Sequence, residues 1–503
     1  MAKAKKASMR QRYAAMTRGL DWEPSYVPVD KMYPHTNFEG IKIHDWDAWE
    51  DPFRLTVEAY HKYQSEKDKR LYAVIESFAQ GQGHLQVADG RYFNAIRMFL
   101  QGVTPLEYQA YRNFGYLARH LNGAGARTAC LYQSIDELRH NQTQTHAVSQ
   151  FNKFYDHLQD PNVMHDRVWY LSVPKSFFDD GVSAGPFEFM VAISFAFEYM
   201  LTNLLFVPFM SGASFNGDLS TMSFGFSAQS DESRHMTLGL EVIKFLLEQD
   251  EDNVPIIQEW MDKWFWRGYR LLAIVALMQD YFLPRKALSW KESFEMYFEQ
   301  QMLDGLFPDL EYYGITPPRH VNQAIQEKEY MSHQAHWIFY QFAHAGAYNT
   351  TVPFEDELEW FAEQYPETFD QYYRPVYDKA REMQAEGNRF FNAGLPMLCQ
   401  VCQIPMGFTE PGNPGLQAQR VSHYEGERYN TCSDGCKWIF DREPWKYRQA
   451  WLPVHQIYQG NCGGTTIPEV LEWYGINAEE NGEYFDTTDA KNWAAWHEPA
   501  AVS

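Results

Sequence analysis

At 503 residues the chain can hold two or three average domains, or one large helical domain with appendages, and it can bury a sizeable core. Hydrophobic residues make up 45 % and charged residues 22 %, ordinary globular proportions that exclude extended disorder away from the ends. The balance of 43 basic against 66 acidic side chains, net −23, argues against nucleic acid, whose phosphates need Lys and Arg clusters, and suits solubility or a basic protein partner.

Residues 1–85 read as an N-terminal arm followed by an irregular and helical segment. The arm, Met1 to Met16, carries Lys3, Lys5, Lys6, Arg10 and Arg12, but no apolar run follows it, so a secretory signal is not supported and a cytoplasmic location is expected. Residues 86–395 read as one helical domain. From about Glu107 to Glu248 it consists of long amphipathic stretches, interrupted by turn-like clusters at Asn122-Gly123-Ala124-Gly125 and Ser211-Gly212-Ala213-Ser214. This pattern predicts two helical hairpins. Phe187 to Met210 and Trp264 to Pro284 look like membrane spans at first. Glu188 and Glu198 interrupt the first, and Arg267, Arg270 and Asp280 the second, so both are expected as buried core helices and no membrane is involved.

Each hairpin carries the same short motif, Asp136-Glu137-Leu138-Arg139-His140 and Asp231-Glu232-Ser233-Arg234-His235. On a helix, residues i and i+3 share a face, so each copy presents one carboxylate and one imidazole to a single metal ion. A lone glutamate precedes each copy: Glu107 lies 30 residues before Glu137, and Glu198 lies 34 before Glu232. Two lone glutamates plus two Glu-x-x-His helices compose the dinuclear site of carboxylate-bridged four-helix bundles. Four carboxylates and two neutral imidazoles balance two divalent ions, so the reduced centre is neutral and fits a low-dielectric interior. Oxygen and nitrogen donors favour iron or manganese, whereas structural zinc usually recruits thiolates. Metal-bound histidines normally donate their second N–H to a carboxylate, and Asp136 and Asp231 stand ready; a crossed arrangement is expected, Asp231 to His140 and Asp136 to His235. A single Glu-x-x-His is common on solvated helices, and the duplication with identical flanking Asp and Arg is what favours ligation. Glu107 has a second reading, because Thr104-Pro105-Leu106-Glu107 also fits a helix start with Thr as cap.

Beyond residue 395 the composition turns to Gly, Pro, Cys and aromatics. Residues 396–460 read as a small metal-stapled module and 461–503 as an irregular acidic tail. Four of the six cysteines fall here as Cys399-x2-Cys402 and Cys432-x3-Cys436, separated by 29 residues. Two closely spaced thiolate pairs fit a structural four-cysteine zinc site; unligated thiols or an iron–sulfur centre are the competing readings. His423 in the spacer and Cys462 are left over, and Cys130 reads as a buried apolar residue.

With these motifs in place the sequence resembles the large hydroxylase subunits of the bacterial multicomponent monooxygenases, the soluble methane, toluene and phenol hydroxylases. The likeness covers nearly the whole chain, and within the family it is nearest the phenol hydroxylases. It implies an all-α fold, a ferritin-like di-iron four-helix bundle with additional helices and the small C-terminal zinc module. It further implies two iron ions held by Glu107, Glu137, His140, Glu198, Glu232 and His235, and insertion of one atom of O2 into an aromatic ring, phenol becoming catechol. Implied partners are second and third hydroxylase subunits in a dimer of heterotrimers, an iron–sulfur flavoprotein reductase passing electrons from NADH, and a small cofactorless regulatory protein. Thr202 matches the threonine that the family places beside the metals; it reads either as a proton relay or as a hydroxyl bonded to its own helix. Asn203 and Gln229 flank the same positions and are candidates for bonding to waters or to the regulatory protein. Val103, Phe197 and Phe206 are candidates to wall an apolar substrate cavity, or plain core. Toluene or alkene oxidation within the family, a ribonucleotide reductase or desaturase type of di-iron protein, and a non-enzymatic iron-binding subunit are the alternatives.

Overall fold

The computed structural model describes residues 40–87, 89–121, 123–155, 172–283, 288–341, 352–386, 397–410 and 413–450. The basic N-terminal arm, the acidic tail and Cys462 lie outside the described residues.

Four long helices form the centre: α2 (Gly90–His120), α3 (Ala124–Phe151), α5 (Pro186–Asn216) and α6 (Leu219–Gln249). α2 packs on α3, α5 on α6, α3 on α6 and α2 on α5, which closes a four-helix bundle. Their starts are chemically marked, since Asp89 accepts from the backbone N–H of Arg91 and Tyr92, and Asp218 from that of Thr221. The first hairpin turns where the sequence predicts, between His120 and Ala124. The second does not: α5 runs through Ser211 to Ser214 and stops at Asn216, because Gly217 takes the left-handed conformation (φ 74°) that ends a helix and Asp218 caps the next one. The Ser-Gly-Ala-Ser cluster lacks that combination of stop and start.

α1 (Val57–Gln80) crosses the outside of α3 and α6, and α4 (Ser172–Val182) packs on α2. α7 (Asn253–Leu277) lies against α5 and α6, burying Trp264, Trp266, Arg267 and Arg270. A helical rod over 290–311 follows, then α8 (Val321–Glu327), α9 (Met331–Gln341), α10 (Glu355–Gln364) and α11 (Arg374–Ala385). Pro186–Asn216 is long and apolar enough to cross a membrane, but 83 % of its most apolar window is buried inside the protein, as expected of a core helix.

Within α5 the backbone widens to π-helical geometry over Val191–Tyr199, the stretch that carries Glu198; such insertions are common at functional sites. Neighbouring helices make room for it with glycines. A Cβ on Gly239 of α6 would stand 1.8 Å from the Ser194 side chain, and one on Gly268 of α7 would stand 2.7 Å from the Ala196 carbonyl oxygen.

The cysteine module is two antiparallel hairpins and two short helices: β1 (Thr409–Glu410) with β2 (Asn413–Gln417), β3 (Arg420–Tyr424) with β4 (Glu427–Thr431), then α12 (Asp434–Arg442) and α13 (Pro444–Tyr447). The β3–β4 turn places both Glu425 and Gly426 at positive φ, the two-residue turn that matches strand twist. α12 docks on α7. Gly435 permits this approach, because any Cβ there would overlap the Trp266 ring, whose N–H donates to Ser433 Oγ at 3.1 Å.

Candidate di-metal centre

The i and i+3 spacing brings Glu137 and His140 to one face of α3, and Glu232 and His235 to one face of α6. All four point into the bundle, where Glu107 of α2 and Glu198 of α5 meet them. The donor atoms fall into two groups, each within 4.8 Å throughout: Glu107, Glu137, His140 and Glu232, then Glu137, Glu198, Glu232 and His235. Glu137 and Glu232 belong to both. Glu137 turns Oε2 to His140 Nδ1 (3.5 Å) and Oε1 to His235 Nδ1 (3.3 Å), while Glu232 turns Oε1 to His140 (3.4 Å) and Oε2 to His235 (3.2 Å). Glu107 stands 3.5 Å from His140 and Glu198 3.7 Å from His235. The arrangement is therefore two four-donor pockets joined by two shared carboxylates.

Glu107 is not a helix cap. α2 continues through Pro105, Thr104 Oγ1 donates back to the Leu100 carbonyl at 2.5 Å, and Glu107 is an interior residue held by Gln144 Nε2 at 2.8 Å. Gln133 performs the same service for Glu198, donating at 2.5 Å. On the far side of each imidazole, Asp231 Oδ2 lies 3.1 Å from His140 Nε2 and Asp136 Oδ2 lies 3.4 Å from His235 Nε2, a crossed pairing between the two motifs. The repeated arginines cross as well: Arg139 donates to Asp231 at 3.2 Å and Arg234 donates to Asp136.

The electrostatics call for cations. Burial pushes Glu137 up to about 8 and raises Glu198 well above the usual carboxylate range, with the surrounding carboxylates adding to both. Burial disfavours charge on His140 and His235, yet the carboxylates facing each ring outweigh it and raise both pKa values. Glu198 Oε2 and His140 Nδ1 are buried without a hydrogen-bond partner. Hard oxygen and imidazole donors, two orphaned donor atoms and a charge deficit of two divalent ions fit a dinuclear site of the iron or manganese type.

Of the other predicted residues, Thr202 is buried one turn beyond Glu198 and lines a narrow cavity together with Val103, Phe197, Phe206, Glu107 and Glu232. Asn203 and Gln229 bond to one another at 2.8 Å, and Asn203 donates to Gln301 at 3.2 Å. Sequence reasoning missed Gln133, Gln144 and the whole contribution of α1. There Tyr60 donates to Asp136 at 2.7 Å, Lys67 to Asp231 at 2.6 Å, and Gln64 to both aspartates. The available signal was Gln64 itself, a polar residue within the buried stripe Tyr60, Leu71, Ile75 and Ala79 of an otherwise amphipathic helix.

In the module, the four thiols of Cys399, Cys402, Cys432 and Cys436 lie within 4.8 Å of one another and are buried. Cys432 Sγ stands 3.6 Å from both Cys402 and Cys436. A tetrahedron of ~2.3 Å metal–sulfur bonds has edges of about 3.8 Å, so the spacing fits one ion. Cys399 Sγ also accepts from the backbone N–H of Val401 and Cys432, both at 3.4 Å. His423 points away on β3 and is exposed. Cys130 is buried in α3, where burial pushes its thiol up to about 12.

Two overlapping carboxylate–histidine groups on four packed helices define a dinuclear carboxylate protein of the ferritin-like class. Comparison with known proteins narrows this. Residues 22–250 match the Methane/Phenol/Alkene Hydroxylase family, and residues 416–451 match the YHS domain, which spans the second cysteine pair. The chain is 56 % identical to the oxygenase component of a phenol 2-monooxygenase from Pseudomonas sp. strain CF600, over 98 % of this chain and 95 % of that protein. It is 26 % identical to the oxygenase alpha subunit of an alkene monooxygenase system from Xanthobacter autotrophicus, over 94 % and 95 %. The crystal structure of xenon-pressurised phenol hydroxylase from Pseudomonas sp. OX1 superposes with a TM-score of 0.91 at 56 % identity, covering 98 % of this chain and all of that one. The chain belongs to the methane/phenol/alkene hydroxylase family, whose members are di-iron monooxygenases.

Proposed function

We propose that this chain is the iron-bearing large subunit of an aromatic monooxygenase that converts phenol to catechol. The observation that carries the reading is the pair of donor groups sharing Glu137 and Glu232 in a chain 56 % identical, end to end, to a phenol 2-monooxygenase oxygenase component. Glu107, Glu137, His140 and Glu232 would hold one iron, and Glu137, Glu198, Glu232 and His235 would hold the other. When bound, the iron pair supplies the two-electron activation of O2.

The chain's own residues do the rest. Asp231 and Asp136 hold the Nε2–H of His140 and His235, which fixes both tautomers and turns Nδ1 inward. Gln144 and Gln133 fix the outer carboxylates Glu107 and Glu198. Val103, Phe197 and Phe206 form an apolar wall beside the donors, excluding water and accepting a flat aromatic ring. Thr202, buried in that wall next to Glu198, carries the hydroxyl that relays a proton to or from the carboxylate edge.

The remaining roles follow the same reading. One zinc ion held by Cys399, Cys402, Cys432 and Cys436 staples the module, a structural task. Electrons come from NADH through a separate iron–sulfur flavoprotein reductase, and a regulatory protein contacts the face carrying Asn203 and Gln229. Second and third subunits complete a dimer of heterotrimers in the cytoplasm.

Reconstitution of the hydroxylase with reductase and regulatory protein under labelled O2 tests this reading, with phenol, toluene and an alkane as substrates. Catechol carrying one labelled oxygen, with little alkane turnover, is the expected product. Absence of label from every product would overturn it.

A further inference from the structure

The three-residue face of α1 that meets the aspartates is not symmetrical. Of the two aspartates Tyr60 reaches Asp136 alone, at 2.7 Å, and also donates to the Tyr132 carbonyl at 3.2 Å; Lys67 reaches Asp231 alone, at 2.6 Å, and also donates to Ser230 Oγ at 2.6 Å. Gln64, halfway between them on the same face, divides its amide: Nε2 lies 2.6 Å from Asp136 Oδ1 and 2.9 Å from Asp231 Oδ1. An amide nitrogen has two N–H bonds, and here one goes to each carboxylate. We propose that Gln64 is a positioning residue that joins the two histidine–aspartate pairs, so that α1 holds both imidazoles in register from outside the bundle. The proposal rests on the reading of the six donors as a dinuclear metal site.

Three features favour this role over simple packing. First, Gln64 Oε1 is buried with no hydrogen-bond partner, so the amide is oriented by its donors alone. The flipped amide would set a carbonyl oxygen against two carboxylates, which is repulsive, and the observed orientation leaves the carbonyl unsatisfied instead. Second, the charges nearby already balance without Gln64. Asp136, Asp231 and Asp68 face Arg139, Arg234 and Lys67, so a neutral donor bridges the aspartates without upsetting the count. Third, the two arginines come from the bundle helices α3 and α6, whereas Tyr60, Gln64 and Lys67 reach the aspartates from α1. Its influence on the imidazoles passes through Asp136 and Asp231.

A bridge and its flanks have different signatures. In the intact iron-loaded hydroxylase, the Nε2–H protons of His140 and His235 are expected to give paramagnetically shifted, solvent-exchangeable signals, one for each ring. Gln64→Met removes the donors and keeps the volume. It is expected to speed exchange of both signals at least tenfold and to hasten iron loss to a chelator by a similar factor. Tyr60→Phe is expected to move only the His235 signal, and Lys67→Met only the His140 signal. The proposal is overturned if Gln64→Met moves one signal or neither, or if either flanking variant moves both equally. Should Gln64→Met fail to assemble, Gln64→Glu, which keeps the shape and substitutes an acceptor, carries the same expectation. An absence of shifted imidazole signals in the parent hydroxylase would instead remove the metal-site reading itself, an outcome distinct from failure of the bridge.

Discussion

The docking of the cysteine module onto the helical domain depends on one buried carboxylate, and replacing it tests how. Asp180 at the end of α4 accepts from Arg267 Nε of α7 at 3.0 Å and from the Tyr447 hydroxyl of the module at 2.6 Å, and it pairs with Lys446. Lys263 stands 3.9 Å away. Burial works against its charge, yet these cations outweigh burial and hold the carboxyl well below the usual range. Asp180→Asn keeps the size and an acceptor oxygen but deletes the charge. Lys263 keeps Glu188 at 2.7 Å and Glu443 at 2.6 Å, and Lys446 can turn to water. Arg267 has no such recourse. Its side chain is 1 % exposed, and its other partners are all neutral: the Val401 carbonyl at 2.8 Å, the Ser176 carbonyl at 2.6 Å and Ser176 Oγ at 3.3 Å.

The substitution therefore leaves one uncompensated buried guanidinium, a defect of about 3–5 kcal/mol. Because Arg267 bonds to Val401, between the first two cysteines, the loss is expected to appear first in the module. Amide exchange over 397–450 should accelerate at denaturant concentrations where the bundle remains protected. Adding Arg267→Met removes the orphaned charge, so the double variant should be more stable than Asp180→Asn alone. A loss below about 1 kcal/mol for the single variant, or additive losses in the double, would refute the argument that charge pairing holds this contact.

Gly239→Ala places a methyl within the Ser194 side chain, so an overpacking loss of about 1–3 kcal/mol is expected, together with lower iron occupancy because Glu198 lies one turn beyond Ser194; melting and metal analysis check both. In the metal-free chain, burial keeps a proton on Glu137 up to about 8 and raises Glu198 well above the ordinary glutamate value, and the carboxylates keep protons on His140 and His235. The folded metal-free protein thus binds more protons than the unfolded chain above the ordinary glutamate value of 4.5, and its stability should fall as pH rises from there through about 8. Iron must expel those protons, so calorimetry in buffers of different ionisation enthalpy should report more than one proton released per centre at neutral pH; none released would contradict the assignment. Cys436→Ser should lower zinc content while the six bundle donors keep their iron, and loss of both metals together would show that the module does more than staple itself.

The candidate donors were legible because helical periodicity is local. Glu137 and His140 are one turn apart, as are Glu232 and His235, and any regular helix must bring each pair to one face. Glu198 stood out as a carboxylate in an apolar run ahead of the second motif, where a cation is the simplest partner, and the charge count supported the set of six. Glu107 stayed ambiguous because Thr104-Pro105 mimics a helix start, and only the continuity of α2 through Pro105 removes that reading. The turn after α5 was misplaced by two small-residue clusters with similar composition, of which only Gly217-Asp218 combines a left-handed stop with a capping side chain.

What the sequence concealed is the support around the ligands, and the reason is distance along the chain. Tyr60 and Gln64 reach partners 72 to 167 residues away, and no periodicity connects them. The Arg in each motif was visible, and each stands near the aspartate of its own helix, Arg139 to Asp136 at 3.0 Å and Arg234 to Asp231 at 3.5 Å, but the crossed contacts to the other helix's aspartate arise only when α3 and α6 lie side by side. The duplicated motif is therefore more than two copies of a ligand pair. Each copy supplies a carboxylate and an imidazole to the candidate metal centre, the aspartate that faces the other copy's imidazole, and an arginine that pairs with the other copy's aspartate. Neither hairpin is complete without the other, which makes formation of the site and closure of the bundle the same event.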